Sequence, residues 1–156
     1  EKNLGKIKVD TNLASNLYQA IMGEKNGLKG QSLDWNLNIF NNHTIEMFSR
    51  FPNIETVFIS PELNHRQLRN IKSDKVKKGM VIYGYLKGMY IEHKIELYLD
   101  KPMNLIPKMD EILECNFDEL RLDFTFESSE EVREIIGSLE TRKGKYNPYA
   151  FENGVL

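Results

Sequence analysis

Apolar and polar positions switch along the chain between a repeat of two and a helical repeat, which predicts alternating strands and helices. Asn12 is placed to cap a helix whose Leu13, Leu17, Ala20 and Ile21 share one face, with Gly23 at its end. Over 32–40, Leu33, Trp35, Leu37 and Ile39 alternate with Asp34, Asn36 and Asn38, predicting a strand with one apolar and one polar face. Residues 44–51 predict a short amphipathic helix closed by Pro52, and 56–59 a nearly all-apolar strand of the kind buried in parallel sheets. Asn64 caps a helix carrying Leu68 and Ile71. Residues 79–90 and 95–99 read as a third and a fourth strand, and 120–126 as a fifth. Pro107 suits the first turn of a helix whose Met109, Ile112 and Leu113 face inward. Ser128 and Glu131 form a capping box for a last helix, with Val132, Ile135, Ile136 and Leu139 as its buried stripe.

Five strands alternating with helices predict an α/β fold of parallel βα units joined by right-handed crossovers. With 156 residues the chain is too short for a complete eight-stranded barrel, which takes roughly 200 or more. No linker or repeat divides it, so 1–156 reads as one domain or domain fragment. A hydrophobic share of 40% against 28% charged residues supports a core and excludes a disordered tail. The 21 basic and 23 acidic residues nearly cancel and leave no global footprint for nucleic acid. No apolar run reaches the roughly 18 residues of a membrane helix. The start, Glu1-Lys2-Asn3-Leu4, lacks the layout of a signal peptide and reads as an internal cut, so a cytoplasmic location is expected. The single Cys excludes an internal disulfide and cannot by itself build a cysteine-rich metal cage.

Ligands of parallel α/β folds gather at the carboxyl ends of strands, and polar residues there are the candidates for chemistry. Asp34, Asn36 and Asn38 share a strand face that is either a binding face or a solvated edge. Glu62 follows the next strand, as an acid–base group or as an acid favoured by the dipole of the helix that Asn64 caps. Arg121 and Asp123, two apart on the fifth strand, either orient a substrate carboxylate or form a structural ion pair. Glu92-His93 offers an acid–base pair or a fragment of a metal site, but His43 and His65 add no ligand at useful spacing. Cys115 reads as a small buried hydrophobe.

Longer stretches carry a family resemblance. Asp34-Trp35-Asn36-Leu37-Asn38-Ile39-Phe40-Asn41 resembles the D-x-x-L-N-[IV]-[FY]-N segment of the collagenase-like peptidase family U-thirty-two, peptidases of unassigned catalytic type. Ser60-Pro61-Glu62-Leu63 resembles its S-P-E-L element, and 83–93 its Y-G-x-L-x-x-M-x-x-E-[YH] element. Lys101-Pro102-Met103-Asn104-Leu105-Ile106 and Leu120-Arg121-Leu122-Asp123-Phe124-Thr125 are similar to its K-P-x-N-L-I and L-R-L-D-F-T elements, in the family's order. The resemblance implies the later half of a TIM-barrel-like domain and a fragment of a peptidase, inactive alone, that acts on a peptide or protein. If the chain hydrolyses peptides, strand-end geometry makes Glu62 or Asp123 the acid–base candidate and Arg121 the carboxylate or oxyanion partner. Asp34, Asn36, Asn38, Asn41, Tyr83 and Glu92 would bind substrate.

Several relatives in that family modify RNA or hydroxylate quinones and hold an iron–sulfur cluster on four cysteines. An iron–sulfur RNA-hydroxylation protein is therefore the alternative, and a non-catalytic binding domain a third. The family pattern runs from the Glu-[Tyr/His] position into a Cys-Pro pair and further cysteines, whereas His93 is followed by Lys94-Ile95-Glu96. The resemblance thus implies no cofactor in this chain, and a cluster only where a parent protein carries a cysteine loop after His93. The closing segment resembles Y-T-R-G-H-F-x-x-G-V, with Pro148 and Ala150 where the Arg and His would stand. Half a barrel would leave sheet edges and an apolar face uncovered, which predicts self-association.

Overall fold

The structure, a computed structural model, describes residues 11–91 and 95–154. Its contacts fall into two compact units: the described residues up to Ser60 with Ile71–Gly79, and Pro61–Asn70 with the described residues from Met80 onward.

The first unit runs β1 (Thr11–Ala14), α1 (Leu17–Lys25), β2 (Gly30–Leu33), α2 (Asn42–Phe48), β3 (Ile54–Phe58) and the opening residues of β4 (Lys77–Gly84). These strands are neighbours in chain order, and all their pairings are parallel. Ala14, Leu33 and Val57 lie side by side at 0% exposure, a continuous apolar row that a two-sided sheet requires. Two polar side chains are buried among the strands with partners. Lys78 donates from Nζ to the carbonyl of Ile71 at 3.0 Å. Gln31 donates from Nε2 to the carbonyl of Ala20 at 2.9 Å. The bare Cα of Gly23 makes room for that amide, since a Cβ there would lie 2.1 Å from Gln31 Oε1.

The second unit contains α3 (His65–Asn70), the remainder of β4, β5 (Lys87–Ile91), β6 (Ile95–Tyr98), β7 (Met103–Asn104), α4 (Met109–Leu113), β8 (Glu119–Asp123) and α5 (Ser129–Thr141). Here β4 takes β7 as an antiparallel neighbour, Tyr83 opposite Asn104, and also pairs with β8. β5 and β6 form a separate antiparallel hairpin. Leu68, Met80, Ile82, Met103, Leu105, Ile106, Ile112 and Phe151 are its large, fully buried side chains.

The α/β expectation holds as a mostly parallel sheet of alternating strands and helices, with antiparallel additions at β7 and the hairpin. Several boundaries differ. Asn12 does not cap a helix: it lies in β1, and Asn16 caps α1 by accepting from the Gln19 N–H at 2.9 Å. The predicted strand over 32–40 stops at Leu33 and gives way to a 3-10 turn, Trp35–Leu37. The region 79–90 is two strands rather than one, because Gly84 breaks the run. Leu113 is 52% exposed rather than inward. The capping box of Ser128 and Glu131 is present, yet no residue of α5 is buried and Ile136 is 50% exposed.

Gly84 sits where side chains are excluded. Its φ of 153° is one that L residues rarely adopt, and a Cβ there would lie 2.9 Å from both Cβ and the carbonyl oxygen of Asp123. Gly84→Ala should therefore cost about 1–3 kcal/mol, measured as a lowered denaturant midpoint at unchanged slope. A variant as stable as the parent would show that β4 and β8 separate at no cost.

Candidate functional site

In the first unit the four polar residues of the 34–41 segment are held by local capping. Asp34, 5% exposed, ends β2 and caps the 3-10 turn. Its carboxylate accepts from the Trp35 N–H at 2.9 Å, from Asn36 Nδ2 at 2.8 Å and from Ser15 Oγ at 3.3 Å. Asn38 closes the turn in the left-handed region with φ 54°, which Asn tolerates better than other side-chain-bearing residues. Asn41 caps α2, accepting from the Thr44 N–H at 3.0 Å and Thr44 Oγ1 at 3.2 Å. The alternating polar face predicted for a strand is thus a correction: Asp34, Asn36 and Asn38 alternate because a turn needs them, not because a sheet face is polar.

In the second unit the carboxyl end of β8 comes against the end of β4. Arg121 and Asp123 form a two-point ion pair, Nε to Oδ1 at 2.7 Å and Nη2 to Oδ2 at 2.8 Å. Their side chains are only 19% and 35% exposed. A carboxylate gripped on both oxygens is a poor general base, so this pair works first as a strut. Tyr83 is buried, with its ring 5.7 Å from that of Phe124. Burial, and then a hydrogen bond to Glu127, hold its phenol well above the ordinary value. Glu127 in turn accepts through Oε2 from the N–H groups of Thr125 at 2.6 Å and Phe126 at 3.0 Å.

Glu62 stands elsewhere in this unit, half-buried just before α3. Its neighbour is Tyr149, whose phenol is pushed up by burial and then by the Glu62 charge. Tyr149 holds a φ of 49°. The chain around it is pinned by the bond from the His65 N–H to the Phe151 carbonyl at 2.7 Å and by the packing of those two rings at 5.3 Å. Glu92 and His93 lie outside the described residues. The structure therefore brings Tyr83, Arg121 and Asp123 together on paired strands, and sets the Glu62 charge near enough to raise the Tyr149 phenol, which sequence reading missed. It also missed Glu127 and the aromatic neighbours Tyr85, Tyr98 and Phe126. The available signal was a spacing of two, Tyr83/Tyr85 and Phe124/Phe126, which puts paired aromatics at the carboxyl ends of β4 and β8.

A four-cysteine cluster does not fit the chain's own donors. Its one cysteine, Cys115, is 2% exposed and donates from Sγ to the Glu111 carbonyl at 3.5 Å. Among the described residues no three His, Cys, Asp or Glu side chains are grouped to hold a metal ion. Nor is any helix there long and apolar enough to cross a membrane. No family model, curated protein or solved structure matches the chain.

Tyr83 and Tyr146 each keep the proton more tightly folded than unfolded, first through burial and then through the nearby carboxylates of Glu127 and Glu152 respectively. As pH rises past about 10 the unfolded chain ionises first, so stability falls. A tyrosinate absorbance titration should find fewer than all seven tyrosines ionising before the fold is lost. Tyr83→Phe should flatten the alkaline loss of stability. Free titration of all seven in the folded chain would contradict this.

Proposed function

We propose that this chain is the later part of a TIM-barrel-like domain related to the collagenase-like peptidases, serving polypeptide binding and hydrolysis and needing residues beyond itself for turnover. The observation that carries the reading is the mutual packing of the resembling segments within the second unit. Tyr83 of one element pairs with Asn104 of another, and Gly84 backs onto Asp123 of a third. The closing segment joins them through the bridge of Asn147 to Asn104 and the nearness of Tyr149 to Glu62. Residues far apart in sequence that match one family's elements are neighbours in space, as a shared ancestral site would require. Four consecutive parallel strands in chain order agree with a stretch of barrel wall.

In this reading Glu62 is the acid–base group, because Asp123 is committed to Arg121. Arg121, held in place by the same pair, is the guanidinium that would face a carboxylate or developing oxyanion. A binding domain without catalysis is the second reading, favoured by that commitment of Asp123 and by Pro148 and Ala150 in the closing segment.

The test is release of new amino groups from gelatin by the protein that carries this sequence, with and without added divalent metal. Turnover that falls at least about 100-fold in Glu62→Gln supports hydrolysis. Gelatin binding without any cleavage would remove the peptidase reading and leave the binding domain.

A further inference from the structure

The second unit holds an aromatic cluster that the hydrolytic reading does not use. Phe126 is 63% exposed, yet its ring lies 5.1 Å from that of Tyr85 and 5.2 Å from that of Tyr98, at interplanar angles of 77° and 84°. The three rings come from separate pieces of chain: the turn between β4 and β5, strand β6, and the segment between β8 and α5. Leaving a phenyl ring in water is unfavourable, and a loose segment would fold it inward. This segment is not loose. Glu127 accepts from the Thr125 and Phe126 N–H groups, and the Ser128–Glu131 capping box fixes the next residues. The backbone that carries Phe126 is fixed and its ring is packed edge-on against two tyrosines, so binding to it incurs little further ordering cost.

Charge selects the occupant. Over 121–134 the chain carries Asp123, Glu127, Glu130, Glu131 and Glu134 against Arg121 and Arg133, which pair with Asp123 and Glu130 and leave the acids of Glu127, Glu131 and Glu134 in excess. Such a rim repels a polyanion and draws in lysine and arginine. Cations also seat on the faces of Phe and Tyr rings, and Lys87 Nζ already lies 5.8 Å over the ring of Tyr98.

We propose that Phe126, Tyr85 and Tyr98 bind a basic polypeptide segment, an Arg or Lys side chain lying on the rings and the acidic start of α5 setting its direction. The inference rests on the polypeptide reading above and names the kind of segment it takes.

Fluorescence anisotropy of the full chain tests it with three labelled probes: a short arginine-bearing peptide, a glutamate-bearing peptide of matched length, and a single-stranded RNA. The arginine peptide should bind best and weaken about tenfold in Phe126→Ala. Binding should persist in Phe126→Tyr and fall in Glu130→Lys, an exposed change that leaves the core untouched and keeps the test open if Phe126→Ala unfolds. Equal binding of the glutamate peptide, preference for RNA, no binding of either peptide, or indifference to both Phe126→Ala and Glu130→Lys would overturn the proposal. Phe126-dependent binding without gelatin cleavage would sustain it while hydrolysis fails. Cleavage indifferent to Phe126 would do the reverse.

Discussion

β4 and β8 meet closely because residue 84 has no side chain. At that point the Asp123 backbone occupies the space a Cβ would need, and the neighbouring contacts follow from the register so set. Tyr83, one residue earlier, receives the ring of Phe124, and Tyr85, one residue later, receives the ring of Phe126. On β8 itself, Arg121 grips both oxygens of Asp123 two residues on. A single glycine thus sits between the buried Tyr83 and the exposed aromatic cluster, opposite the ion pair of β8.

The acids of this region divide by what holds them. Asp123 is neutralised by a guanidinium fork, and Glu127 is consumed by two backbone N–H groups and a phenol. Glu131 has its pKa lowered by the backbone and side chain of Ser128, as a capping box requires. These carboxylates stiffen the segment that leads from β8 into α5. Glu62 is differently placed, half-buried just before α3, and its charge helps to raise the phenol of Tyr149.

Much of the fold was legible from local pattern. The strand at 56–59, the caps at Asn64 and Ser128, and Pro107 in a first turn all correspond to elements in place. The 34–38 segment misled, because alternation of polar and apolar residues has two physical origins. A half-exposed strand produces it, and so does a capped turn whose Asp, Asn and Asn each serve a backbone need. The site was legible only in part. Arg121 and Asp123 could be paired by their spacing of two, but Tyr149 beside Glu62 joins residues far apart in sequence and belonging to no shared element.

The apolar stripe of α5 marks the same boundary. Val132, Ile135, Ile136 and Leu139 are spaced to share a helix face, and the capping box that starts the helix acts within four residues. Both follow from the sequence alone, because helix periodicity and cap hydrogen bonds are local. Whether that face is covered is a property of other segments, and in the tertiary structure none of it is buried. The exposure of Phe126 and the approach of the Glu62 charge to Tyr149 were likewise decided there. Each depends on which strands lie side by side, and that depends on backbone pairing and close approach over distances that no local repeat encodes.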